Sequence, residues 1–131
     1  MIGWVDNIET LTLENTNFRT VVHTGKHSQL TLMSVPPGGE VGWESHAHLD
    51  QFLRLEQGWA RLDFGKTEDA VDETYEIEDD WALIVPAGVW HNVVNMGDTD
   101  LKLYSVYSPP EHPDGTVHST KAEADADENH H

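Results

Sequence analysis

The chain contains no cysteine, which excludes disulfides, thiolate metal sites and thiol nucleophiles. Basic residues are scarce: 7 Lys+Arg stand against 24 Asp+Glu in 131 residues, a formal net charge of -17. Nucleic acid and anionic membranes both need a basic face, so neither is expected as a partner. A highly anionic substrate would need a metal ion, or one of Arg19, Arg54 and Arg61, to receive it. Long apolar runs are missing too, and nothing approaches the roughly 20 residues of a membrane-spanning helix. The opening residues Met1-Ile2-Gly3-Trp4-Val5-Asp6-Asn7 lack the basic and apolar parts of a leader. The expectation is a soluble, cytoplasmic protein. So acidic a balance is also what a protein from a salt-tolerant organism shows.

Helical periodicity is absent after the first fifteen residues. What the sequence has in its place is alternation, rich in β-branched and aromatic residues and interrupted at short intervals by Gly, Pro, Asn and Asp. Strands are expected at residues 18–23, 29–35, 41–48, 51–57, 59–64, 74–77, 81–85, 91–95 and 101–107. This is the pattern of an all-β sandwich or barrel. The organisation expected is an N-terminal segment over 1–14, one barrel over 15–112, and an acidic tail over 113–131. The tail has almost no large apolar residue to offset its ordering, and reads as disordered or loosely helical. The terminal His130-His131 pair, native or appended, is left out of the fold reasoning.

Three histidines carry the chemistry. Side chains at i and i+2 of a strand share a face, so His46 and His48 can converge on one point. A third, His91, follows Pro86-Ala87-Gly88-Val89-Trp90 on a separate expected strand. Imidazoles meeting from different strands make a divalent-metal site that keeps positions open for water or substrate.

The stretch Gly39-Glu40-Val41-Gly42-Trp43-Glu44-Ser45-His46-Ala47-His48, continuing through Gln51 to Gly58, resembles the first motif of the cupin superfamily. Residues 80–95, with Pro86, Gly88, His91 and Asn95, resemble the second. The resemblance reaches roughly residues 15–110. It implies a single cupin β-barrel of the double-stranded β-helix or jelly-roll type, paired into a homodimer through an edge sheet. It also implies one divalent transition metal (Zn, Mn, Fe or Ni) on His46, His48, a fourth residue and His91. Gln51 stands where the family usually has a glutamate, and only two residues separate it from His48. An uninterrupted strand would put Asp50 on the histidine face, whereas a turn or bulge at Leu49-Asp50 puts Gln51 there. Asp80 replaces the leading glycine of the second motif.

Met33, Trp43, Trp90 and Tyr107 are candidates either for lining a ligand pocket or for ordinary barrel packing. Gly88 and Asn95 read as structural. Pro109 and Pro110 stiffen a segment that could cross the barrel mouth and bring Glu111 or His112 to the site, or simply run over the surface. No dedicated base stands out: Glu44, Asp50, Glu111 and His112 are the candidates. The function expected is a metal-holding barrel acting on, or binding, a small sugar-like or carbonyl metabolite. Lewis-acid isomerase or lyase chemistry, dioxygenase chemistry and non-catalytic ligand binding all fit this reading.

Overall fold

The alternating segments form two antiparallel sheets in a computed structural model that describes residues 2–128. A short helix α1 (Ile8–Glu14) precedes β1 (Arg19–Thr24), β2 (Gln29–Val35), β3 (Asp50–Gln57), β4 (Trp59–Gly65) and β5 (Glu73–Glu78). Then come β6 (Ala82–Val85), β7 (Trp90–Asn95), β8 (Leu101–Ser108), β9 (Val117–His118) and helix α2 (Lys121–Glu128). The larger sheet has the order β6-β3-β8-β2-β1-β9 and the smaller β5-β4-β7. The fold is thus mostly β, and its two sheets enclose an apolar core that includes Met33, Val35, Leu53, Leu55, Leu62, Val93, Leu101 and Leu103.

Helix α1 starts where Asn7 caps it, its side-chain oxygen accepting from the Thr10 N–H at 3.0 Å. Its C-terminal end is tied to the sheet by Lys102, which is buried and donates from Nζ to the Asn15 carbonyl at 2.6 Å and to Ser34 Oγ at 2.9 Å.

Cross-strand register sorts the inner face of the larger sheet into rows. Gln51 and Gln29 both oppose Tyr107. In the next row Leu53, Ser105, Thr31 and Val21 lie side by side, and in the one after that Leu55, Leu103, Met33 and Arg19, with Arg19 opposite His118 of β9. One row, Gln51, Tyr107 and Gln29, is thus polar throughout, and another runs from apolar Leu55, Leu103 and Met33 to Arg19 and His118 at its β1–β9 end.

Two sequence expectations change here. Residues 41–48 do not form a strand. Gly42 sits at φ +119, which breaks the extended run, and a turn falls at Ala47-His48. The segment instead lies along the open edge of β7, through Val41 N to Val93 O at 2.9 Å and reciprocal bonds between Glu44 and His91 at 3.0 and 2.9 Å. In the acidic tail, β9 pairs with β1 and α2 folds back with Ala124 1% exposed. The compositional argument had no count of what one small buried residue and one strand pairing add. Residues 129–131, the terminal histidine pair among them, lie outside the described residues.

Candidate metal centre

The Glu44–His91 pairing is where the site begins. Residues that exchange both backbone bonds across antiparallel strands project their side chains to the same face, so Glu44 is set beside His91. Two residues on, the His46 carbonyl accepts from the Gly88 N–H at 2.8 Å. Gly88 adopts φ +84 in the turn after Pro86, so the Pro-Ala-Gly turn that precedes His91 also holds His46. One ligand atom from each of Glu44, His46 and His91 lies within 4.8 Å of the others. His46 Nε2 is 3.4 Å and His91 Nε2 4.0 Å from Glu44 Oε1.

His91 is fully buried, and its Nε2 has no hydrogen-bond partner. Its Nδ1 is 3.3 Å from the Val89 carbonyl. With Nδ1 protonated toward that carbonyl, the Nε2 lone pair points into the site. Burial lowers the His91 pKa, and the Glu44 charge and the Val89 bond oppose this without cancelling it. The imidazole is therefore held in the neutral, metal-competent form. For Glu44, burial acts to raise the pKa. The hydrogen bond from His46 and the charges of His46, His91 and Arg19 outweigh it, holding the carboxyl below its ordinary value.

Gln51 is 1% exposed, and its Oε1 has no hydrogen-bond partner. An amide oxygen left bare in a protein interior costs free energy unless a cation, a water or a ligand completes it. Gln29, on the other side of Tyr107, differs. Its Nε2 donates to Thr24 Oγ1 and the His112 carbonyl, and its Oε1 accepts from the N–H groups of Glu111 and His112. That clamp draws residues 111–112 over the barrel mouth. The His112 ring stands edge-on to Tyr107 with centroids 5.2 Å apart, and Glu111 Oε1 comes to 3.8 Å from His46 Nδ1. Burial and the nearby Arg19 charge push His112 down to about 3, while burial pushes Tyr107 up to about 12. Near neutral pH both rings are uncharged.

Other sequence candidates fall elsewhere. His48 is exposed in the Ala47-His48 turn and is not among the converging ligand atoms. The same-face rule holds only inside a regular strand, and here the turn follows His46 directly. Asp50 is exposed, and its Oδ1 accepts from the Ala87 N–H at 2.9 Å, so it braces the Pro-Ala-Gly turn from outside. Met33 packs in the apolar core. Trp90 alternates with inward-facing His91 and stacks on Trp43 at 5.9 Å, away from the interior. Of the four pocket candidates, Tyr107 stands at the centre, its ring 5.9 Å from that of His46. Asn95 uses its side chain on backbone, donating to the Val35 and Thr99 carbonyls and accepting from Gly97. Asp80, at φ +73, occupies a conformation glycine adopts freely, which matches its place at the motif's leading glycine.

Two features went unread in the sequence. Glu44 was a candidate base and not a ligand, although Glu44-Ser45-His46 has the same i, i+2 spacing as the histidine pair. Arg19 was noted only as one of few cations. It is 3% exposed and close enough to bear on Glu44, Tyr107 and His112.

The Cupin_2 cupin-domain profile matches residues 31–107. The uncharacterized protein YrkC of Bacillus subtilis (strain 168) is 53% identical over 125 residues, which cover 95% of this chain and 67% of that protein. Uncharacterized protein L612 of Acanthamoeba polyphaga mimivirus is 38% identical over 115 residues, 87% of this chain and 70% of that protein. The crystal structure of BH2720 from Bacillus halodurans superposes with a TM-score of 0.93 at 51% identity, covering 94% of this chain and 93% of that one. The two motifs, the paired antiparallel sheets and these likenesses lead to one conclusion: the chain belongs to the cupin-domain family.

Proposed function

We propose that the chain holds one divalent transition metal ion on Glu44, His46 and His91, with the Gln51 amide oxygen as a further donor, and uses it on a small carbonyl-bearing or sugar-like metabolite. The observation that carries this is the convergence of two imidazoles and a carboxylate, with a partnerless buried amide oxygen on Gln51 opposite Tyr107, the residue whose ring lies 5.9 Å from that of His46. The residues fit a metal in protonation as well as in place, since His91 is kept neutral and Glu44 ionised.

Such an ion polarises a carbonyl oxygen and stabilises the negative charge that develops on it. The chain's own groups would manage the protons. Tyr107 stays a hydrogen-bond donor across the physiological range. Glu111, an exposed carboxylate 3.8 Å from His46 Nδ1, is placed to take up or return a proton at the mouth. The donor set favours a second reading as well. Two histidines and one carboxylate with open positions are the ligands of non-haem iron oxygenases, so oxygen chemistry stands beside Lewis-acid isomerisation. A homodimer paired through an edge sheet belongs to the same proposal, since uncovered strand edges need a partner.

The test is metal content. Full-length protein with His130 and His131 replaced by alanine, so that they cannot scavenge metal, should purify with about one equivalent of a transition metal. His46→Ala/His91→Ala should load none, and His48→Ala should load normally. Failure of the parent to load, or equal loading by the double variant, would end the metal reading. Incubation with keto-sugars and diketones, with and without oxygen, then separates the two chemistries.

A further inference from the structure

Arg19 is a buried cation on β1, in register with Met33 on one side and His118 on the other. Its Nη1 lies 3.3 Å from His118 Nδ1, and His118 Nε2 lies 2.9 Å from Asp127 Oδ2. The direction of this chain follows from chemistry. A guanidinium keeps all its protons and can only donate, so His118 Nδ1 must be the acceptor. The imidazole proton is then on Nε2, where it is donated to Asp127. Thus α2, through Asp127 and His118, sets the position of a guanidinium near the metal centre.

An opening of about 240 Å³ runs beside this arrangement, its lining including Arg19, Gly42, Trp43, Glu44, Lys121 and Asp125. Arg19 and Glu44 thus border one space, together with Lys121, Glu40 and Asp125. The chain carries 7 Lys+Arg against 24 Asp+Glu, so an anion approaching at random meets repulsion. The other buried cation, Lys102, donates to Asn15 and Ser34 and to nothing in the barrel interior among its described partners. Of the two cations that line the opening, Arg19 is the buried one. Lys121, already on Asp125 at 2.8 Å, adds a weaker positive field.

We propose that Arg19, positioned by His118 and Asp127, receives a carboxylate of the small molecule whose carbonyl or hydroxyl oxygen faces Glu44, His46 and His91. This rests on the metal reading above and narrows it, making the substrate class a small 2-oxo or 2-hydroxy carboxylate. The planar guanidinium fork matches a carboxylate in geometry. A phosphate dianion would bring more charge up against Glu40, Glu44 and Asp125, which line the same opening. Arg19, His118 and Asp127 all lie outside residues 31–107 matched by the shared domain.

The test compares pyruvate with pyruvamide, its neutral amide of nearly the same shape, by calorimetric titration of the metal-loaded full chain. Metal content is measured on the same samples. Wild type should prefer pyruvate by about tenfold or more, the range for a charge-assisted pair. Arg19→Gln should abolish that preference when affinities are taken per equivalent of bound metal, and Arg19→Lys should keep part of it. Asp127→Ala, at an exposed side chain, should reduce the preference several-fold. A purely structural role would weaken both probes alike, so the ratio is the readout. Equal affinity for the two probes in wild type, no binding of either at millimolar concentration, or a preference that survives Arg19→Gln would overturn the proposal. If Arg19→Gln does not fold, an unchanged ratio in Asp127→Ala overturns the positioning by α2. Wild type that takes up no metal counts against the centre alone. Arg19 is then judged by whether pyruvate, and not pyruvamide, raises the melting temperature of the metal-free protein.

Discussion

Acidification should weaken the metal-free protein in a way that depends on one residue, His112. Its ring is half-buried against Tyr107 near a buried arginine, and its pKa falls from the ordinary 6.5 to about 3. The folded value lies below the unfolded one. As the pH drops below 6.5 the unfolded chain takes up this proton and the folded one does not. Stability from this group is complete above about pH 6.5 and is lost as the pH falls toward 3. The limiting slope is about 1.4 kcal/mol per pH unit, so going from about pH 7 to about pH 5 removes about 2 kcal/mol. Solvent screening at a half-buried ring trims this to about 1–2 kcal/mol. Urea denaturation followed by tryptophan fluorescence, with chelator present, measures it at both pH values in wild type and His112→Gln. The surface carboxylates and His91 titrate in both proteins, so their share cancels in the difference. The variant should lose about 1–2 kcal/mol less than wild type on acidification. The same loss in both proteins would refute the claim that His112 is kept neutral by its surroundings.

Two other substitutions test the scaffold and the donor set. Gly58 closes the first motif at φ +118, and a Cβ there would come 2.8 Å from Leu101 Cδ1 and 3.3 Å from Leu101 Cα. Gly58→Ala should therefore cost about 2–4 kcal/mol in urea denaturation, and a loss under about 0.5 kcal/mol would show that the contact relaxes freely. Gln51→Glu replaces a neutral oxygen donor with a charged one. By chelator competition it should bind metal about tenfold or more tightly, while unchanged affinity would place Gln51 outside the coordination shell.

The barrel was legible because alternation survives wherever a strand has one face in the core, as in β3, with Gln51, Leu53 and Leu55 inward. The family was legible because glycine and proline at fixed spacings mark turns whose geometry few other residues allow. The set of converging donors was harder to read. Parity counting assumes continuous strand, and the turn at Ala47-His48 removes that premise one residue after His46. Glu44 enters the site through a bridge to His91, a partner far away in sequence, which no local pattern reports. The same holds for Arg19 and His118, which the β1–β9 pairing brings together from near opposite ends of the chain. Helix α2 was hidden by its charge: its burial rests on Ala124, and hydrophobicity averaged over an acidic stretch does not register a single small residue.

The two glutamines beside Tyr107 make a last point about hydrogen-bond valence. A side-chain amide offers two donors and two acceptor sites. Gln29 fills all four within the protein, and so is saturated and chemically silent toward anything that enters the barrel. Gln51, the same residue in the same row, has its oxygen open. Residue type alone cannot separate the two, but their valence does. One amide is a rivet for the segment carrying Glu111 and His112, and the other is the oxygen donor on which the proposed metal reading draws.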